Sequence, residues 1–269
     1  MGVEYQVEGP PGTGKTTSLS RKIARDVEKY GPDRLIVGSF TRAAATELVQ
    51  KISAVAGDLG IPRGQVTTLH ALGYGVLERP PLAETRDGFA AWNDWLGERQ
   101  QRGWTLSGGG SAAGKSEAAV ERAAEEPAWD RQAQDLPGDR VFAAIQMLRA
   151  GMAPVAGWPG EEQAFYREWE AFKRETGMID FADMIELPRT LGMGVPGHAK
   201  CGIFDECQDN TEADQALIRY WGEQMDEITL AGDPAQALYD WRGGSGARVF
   251  LDHPVPAGHR YTLPQSYRV

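Results

Sequence analysis

Two cysteines among 269 residues are too few for a disulfide scaffold or a cysteine-rich zinc site. Cys201 and Cys207 flank Ile203-Phe204-Asp205 and are expected to be thiols in a reducing compartment. Long apolar runs are also missing. None approaches the span of a bilayer, and the N-terminus carries no basic, hydrophobic leader, so no membrane partner and a cytoplasmic location are expected. Positive charge is scarce: 28 Lys and Arg face 38 Asp and Glu, a net charge of −10. That balance excludes a protein that coats nucleic acid by bulk electrostatics. It leaves open a narrow groove that holds a single strand by base stacking.

What is present begins at the N-terminus. Gly9-Pro10-Pro11-Gly12-Thr13-Gly14-Lys15-Thr16 matches the phosphate-loop pattern G-x-x-x-x-G-K-[ST]. An alternating apolar stretch (Val3, Tyr5, Val7) precedes it, and a helical stretch from Thr16 to Lys29 follows. In a strand-loop-helix setting, loop N–H groups and the helix N-terminus point at an anion. Gly9, Gly12, Thr13, Gly14, Lys15, Thr16 and Thr17 are therefore the predicted nucleotide contacts. Lys15 would reach the outer phosphates, and the Thr16 hydroxyl would bind Mg²⁺. Gly109-Gly110-Ser111-Ala112-Ala113-Gly114-Lys115-Ser116 satisfies the same pattern, but no apolar run leads into it. Its glycine-serine composition is that of a flexible linker.

Strand-like and helical runs alternate along both ends of the chain. They run Val3–Val7, Leu35–Phe40, a helix from Arg42 to Ala56, Val66–Leu69, then Cys201–Asp205, a helix from Thr211 to Gln224, Ile228–Asp233 and a closing Tyr261–Leu263. The alternation predicts an α/β fold with a parallel sheet and helices on both faces. Residues 79–176 show no convincing strand signal, hold six tryptophans and contain helical stretches such as Glu117–Glu126 and Glu161–Arg174. They are expected to form a mainly helical insertion, with its tryptophans used for packing. The expected division is therefore 1–78, 79–176 and 177–269.

Ile203-Phe204-Asp205-Glu206-Cys207-Gln208-Asp209 is an apolar strand ending in acids. Ligands of parallel sheets sit beyond the carboxyl ends of strands. Asp205 would hold Mg²⁺ there, and Glu206 would orient and deprotonate water. On the next strand, Leu230 to Gly244 repeats the logic. Gln236 can sense the γ-phosphate, while Tyr239, Trp241 and Arg242 offer stacking planes and a cation.

Taken in order, these motifs resemble superfamily 1 DNA helicases of the UvrD/PcrA/Rep type. Gly9 to Thr16 resembles motif I, Ser39-Phe40-Thr41-Arg42-Ala43-Ala44-Ala45-Thr46-Glu47-Leu48 motif Ia, and Thr67-Thr68-Leu69-His70-Ala71-Leu72 motif Ib. Asp180-Phe181-Ala182-Asp183-Met184 is similar to the family's element after its inserted subdomain. Asp205 to Asp209 resembles motif II, Gly232 to Gly243 motif III, and Leu263-Pro264-Gln265-Ser266-Tyr267-Arg268 motif IV. The resemblance implies a RecA-like P-loop NTPase sheet, with 1–78 and 177–269 forming the 1A core and 79–176 a 1B-like insertion. It implies ATP with Mg²⁺ (or Mn²⁺ in its place) as cofactors and single-stranded or forked DNA as partner. Glu206, Gln236 and Arg268 would act on the γ-phosphate, and Phe40, Arg42, Thr68, His70, Tyr239, Trp241 and Arg242 would line the strand's path. Packing is the competing role for each of the aromatics, and helix capping or the core for His70.

The sequence departs from the family in two places. The family's adenine-reading glutamine stands well upstream of motif I, whereas eight residues precede Gly9 here, and Gln6 falls within the predicted strand. The chain also ends at Val269, directly after motif IV. The expectation is an ATP-binding and hydrolysing lobe of a helicase or translocase, slow because a second motor lobe would come from another protein or chain segment. Two alternatives stay open: a metal-dependent, structure-specific DNA nuclease using the Asp205, Glu206, Asp209 and Asp233 acids, and a nucleotide-gated DNA-binding module without translocation.

Overall fold

A computed structural model describes residues 2–10, 12–39, 42–99, 103–107, 136–233, 235 and 253–263, with backbone alone at 42, 43, 55 and 56. The strands are β1 (Val3–Glu8), β2 (Leu35–Ser39), β3 (Val66–Thr68), β4 (Cys201–Asp205), β5 (Glu227–Gly232) and β6 (Arg260–Thr262). They form one sheet in the order β3-β2-β4-β5-β1-β6, and every described pairing is parallel. The fold is mixed α/β with a parallel sheet, as the alternation predicts. Leu69, at the end of the strand-like run from Val66, instead opens a helix, because the Thr68 hydroxyl caps that helix by accepting from the Ala71 N–H.

The helices that cover the sheet are α1 (Lys15–Tyr30), α2 (Arg42–Ala56) and α3 (Leu69–Val76). Next come α4 (Arg86–Glu98), α5 (Pro137–Ala150), α6 (Gly160–Thr176), α7 (Phe181–Thr190) and α8 (Glu212–Gly222). Central strands β2 and β4 are buried along their whole length, which a parallel sheet covered on both faces requires. Period-two alternation sorts their side chains. Leu35, Val37, Cys201 and Ile203 face Leu19 and Ile23 of α1 and Leu48 and Ile52 of α2. Ile36 and Phe204 face the other way, onto Leu72, Ile185, Leu217 and Trp221 of α3, α7 and α8. Each such side chain contributes about 1.5–3 kcal/mol on burial. Both cysteines are free and buried, and burial raises both thiol pKa values.

Between β3 and β4 the chain builds a second core on α4, α5 and α6. Its centre is aromatic: Trp92 and Trp95 stack with ring centroids 5.4 Å apart, and Trp169 meets Trp92 edge-on at 5.1 Å. Trp92, Phe165, Trp169 and Phe172 are fully buried. The Trp92 indole donates to the Trp104 carbonyl at 3.0 Å, so these tryptophans pack with their polar edge satisfied. The expected helix Glu161–Arg174 lies within α6. The expected helix Glu117–Glu126, Trp129 and the loop Gly109–Ser116 lie outside the described residues.

The chain enters and leaves this second core side by side. Leu82 and Ile179 form a parallel bridge, and the Ala83 N–H donates to the Ile179 carbonyl at 2.8 Å. Just beyond, Asp180 caps α7 in a reciprocal capping box with Asp183. Arg149 of α5 donates to Asp180 and Asp183, at 2.7 Å each, and to Glu186. Lys173 and the Trp169 indole of α6 also donate to Asp180, at 2.9 and 2.8 Å. Glu84 accepts from the Phe181 N–H at 2.8 Å. Burial works against ionising Asp180, yet Arg149 and Lys173 hold its carboxyl far below the usual range. Burial, and then the Asp180 charge, push Asp183 to about 6 and Glu84 to about 8. No helix among the described residues is long and apolar enough to cross a membrane.

Candidate functional site

The phosphate loop joins β1 to α1. Gly12 and Gly14 have φ of +78° and +84°, a region glycine enters without steric cost, and Gly14 is the N-cap of α1. No side chain caps this helix, and its first turn carries no acid. Its N–H groups and positive dipole end therefore remain available to an anion. Lys15 is buried and donates to the Gly9 carbonyl at 2.6 Å, across the loop. The Thr13 hydroxyl donates to the Pro10 carbonyl at 2.8 Å. A Cβ on Gly9 would stand 2.6 Å from that Thr13 hydroxyl, which explains why glycine opens the loop. Thr16 is half-buried in the first turn of α1, and Thr17 is exposed.

The carboxyl end of β4 lies across from the loop. Asp205 is buried, and burial, followed by the Glu206 charge, raises its pKa to about 6. The Glu206 N–H donating at 3.0 Å, and the Lys15 charge, pull in the other direction. Glu206 adopts a left-handed conformation, φ 57° and ψ 37°, a strained choice for a residue with a side chain. The turn directs adjacent carboxylates differently. Glu206 is half-buried, and its Oε2 accepts from the Gln208 amide at 2.6 Å.

The residues fit a nucleoside triphosphate with a hard divalent cation. Ser39 pairs in register with Asp205 and shares its sheet face. Its hydroxyl is buried with no hydrogen-bond partner among the described residues. The Ser39 hydroxyl and the buried Asp205 carboxylate stand at the carboxyl ends of neighbouring strands, and Thr16 lies in the first turn of α1 after the loop. That is oxygen chemistry of the kind Mg²⁺ prefers.

Other predicted residues sit elsewhere or outside the described residues. Thr68 pairs with Ser39, is buried, and uses its hydroxyl to cap α3, while His70 is half-buried two residues on. Phe40, Gln236, Tyr239, Trp241, Arg242, Arg268 and the side chain of Arg42 lie outside the described residues. Gln6 is fully buried in β1, with Oε1 accepting from Arg260 at 2.6 Å and Nε2 donating to Glu4 at 3.0 Å. Residues not singled out from sequence are Ser39, Gln208, Arg149 and Lys173. The only sequence signal for the last two was the Asp-x-x-Asp capping-box spacing of their partners, Asp180 and Asp183.

A sequence profile described as the UvrD/REP helicase N-terminal domain matches residues 2–126 and 159–251. The chain is similar to an ATP-dependent DNA helicase PcrA of Leuconostoc citreum, 23% identical over 96% of this chain and 34% of that protein. It is similar to an ATP-dependent DNA helicase UvrD2 of Mycobacterium bovis, 26% identical over 90% of this chain and 35% of that protein. It is also similar to an ATP-dependent DNA helicase Rep of Salmonella typhimurium, 22% identical over 96% of this chain and 38% of that protein. The chain thus spans about a third of the length of these relatives.

Proposed function

The chain belongs to the family of UvrD/REP helicase N-terminal domains, and from that premise we propose that it binds ATP with Mg²⁺ and hydrolyses it as the nucleotide-handling lobe of a DNA helicase or translocase. One set of observations supports the reading: the left-handed Gly14 cap and buried Lys15 follow the carboxyl end of β1, the Asp205-Glu206 turn follows that of β4, and the Lys15 charge acts on the Asp205 carboxyl. Lys15 and the N-terminus of α1 hold the phosphates. Thr16 and Asp205, with Ser39 beside them, hold Mg²⁺, which screens charge on the phosphates. Glu206 orients and deprotonates the attacking water. Gln236 senses the γ-phosphate, and Arg268 meets the charge that develops on it.

Residues 1–78 and 177–269 form the motor core, and 79–176 form a helical insertion with its own aromatic centre. A single strand of DNA, alone or at a fork, passes Phe40, Arg42, His70, Tyr239, Trp241 and Arg242, with Thr68 acting through the backbone it anchors. A second lobe, from another protein or chain segment, completes the motor. Gln6, held by Arg260 and Glu4, takes no part in reading the base.

The test is Mg²⁺-dependent ATP hydrolysis with and without single-stranded DNA, comparing the parent chain with Glu206→Gln. The expected result is a slow, measurable parent rate and a loss of about 10²–10⁴-fold in the variant, with ATP binding retained. A parent that does not bind ATP, or a variant as active as the parent, overturns the assignment. Cleavage of labelled forked DNA without ATP would point to a nuclease instead.

A further inference from the structure

Gln208 stands between the turn after β4 and the end of β5 and bonds to both. Its amide Nε2 donates to Glu206 Oε2 at 2.6 Å, and its Oε1 accepts the Asp233 N–H at 3.0 Å. The Gln208 side chain is buried, and its bond to the Asp233 N–H is shielded from bulk water, while the bond to half-buried Glu206 lies at the edge of the site. Its approach to β5 depends on Gly232, where a Cβ would lie 2.7 Å from Gln208 Oε1. Gly232 in turn accepts from the Gly9 N–H at 3.3 Å, at the start of the phosphate loop. On the far side, Asp233 Oδ1 accepts the Ala235 N–H at 3.1 Å, just past the end of β5.

We propose that Gln208 is a positioning residue, a rigid two-ended link that fixes the Glu206 carboxylate and ties its position to the exit of β5. The inference rests on the hydrolysis reading above for the role of Glu206. One oxygen of Glu206 is held by the amide, which fixes the rotamer and leaves the other oxygen to face water. Because the opposite end grips a backbone N–H, movement of the β5 exit and movement of the water-activating carboxylate become one event. Glutamine suits this link because it carries a donor and an acceptor on one planar group, and no other uncharged side chain of that length does.

Two variants separate the two ends. Gln208→Met removes both bonds at similar volume. Gln208→Glu offers the same acceptor to the Asp233 N–H and turns the donor facing Glu206 into a second carboxylate, so that end becomes repulsive. Single-turnover ATP hydrolysis, nucleotide affinity, and Asp233 amide hydrogen exchange followed by NMR are measured for parent and variants. Both variants should lose turnover by on the order of 10²-fold, the scale of a misplaced catalytic group, with nucleotide affinity unchanged in Gln208→Met. Only Gln208→Met should lose protection of the Asp233 amide. A non-hydrolysable ATP analogue with Mg²⁺ should alter that exchange in the parent and leave it unaltered in Gln208→Met. Parent-like turnover in Gln208→Met, affinity falling in step with turnover, or the same nucleotide-linked exchange in both proteins would overturn the link. A parent that binds ATP without ever turning over overturns the hydrolysis reading instead. The exchange comparison then still decides whether Gln208 connects the two ends.

Discussion

Replacing Arg149 tests whether the ion cluster at the neck of the insertion holds the two cores together. Arg149 is buried and donates to three carboxylates, those of Asp180, Asp183 and Glu186. Arg149→Met keeps most of the side-chain volume, so the cavity contribution is small and the lost charge dominates. Two buried carboxylates, Asp180 and Asp183, would then share Lys173 as their one close cation among the described residues. Breaking a buried pair in this way costs about 3–5 kcal/mol. For a chain of this size, that lowers Tm by roughly 6–20 °C. The loss depends on pH in a predictable direction. Asp183 already titrates at about 6, and without Arg149 its pKa rises further, so a proton can replace the missing cation. Urea unfolding followed by tryptophan fluorescence should show the full deficit at pH 8 and a smaller one at pH 5.5. A second substitution, Asp183→Asn, should recover part of the deficit at pH 8 and little at pH 5.5. Arg149→Met within about 0.5 kcal/mol of the parent, the range of an ordinary surface change, would refute the clamp. So would a deficit indifferent to pH.

Three further outcomes can be checked. Lys15→Ala should abolish binding of a fluorescent ATP analogue, whereas Lys115→Ala should leave it unchanged; equal losses would mean that the phosphate loop was misassigned. Trp241→Ala should weaken single-stranded DNA binding by roughly 1–3 kcal/mol in anisotropy titrations, and Arg242→Ala should also flatten the salt dependence. A parallel loss of ATP binding and thermal stability would make Trp241 a packing residue. Glu84 is protonated in the fold up to about pH 8 and ionises near its ordinary value when unfolded. Its burial therefore leaves stability intact below about pH 4.5 and erodes it as pH rises toward 8. Glu84→Gln should gain stability relative to the parent across that window, by a few kcal/mol in order of magnitude; parallel pH curves would rule this out.

Features written in short stretches of chain were legible from sequence. The phosphate loop needs only local glycines, a lysine and the strand and helix on either side, and Asp205-Glu206 needs only an apolar run ending in acids. The strands of the sheet were readable because burial on both faces leaves continuous apolar runs such as Leu35-Ile36-Val37. What escaped depends on neighbours distant in sequence. Gln208 gains its meaning only when β4 and β5 lie side by side. Arg149 and Lys173 look like surface charges on amphipathic helices until Asp180 turns out to lie beneath them. Ser39 is an ordinary strand end until register places it opposite Asp205. Thr68 was expected on the DNA path, and the structure shows its hydroxyl capping α3, a local role that the Thr-x-x pattern before a helix does signal.

The bridge between Leu82 and Ile179 also bears on how the sheet assembles. Strands β2 and β4 are central partners, yet the whole helical insertion lies between them in sequence. Pairing of such distant segments is slow, because the entropy of closing the loop is lost before any contact forms. The insertion shortens that search. Its helices pack through contacts closer in sequence, and once its aromatic centre has formed, the Leu82–Ile179 bridge holds the two ends of the long excursion side by side. For β4, the effective loop back to β3 shrinks from the full insertion to residues 69–81 and 180–200, on either side of that bridge. The inserted helices then serve as a folding clasp for the parallel sheet.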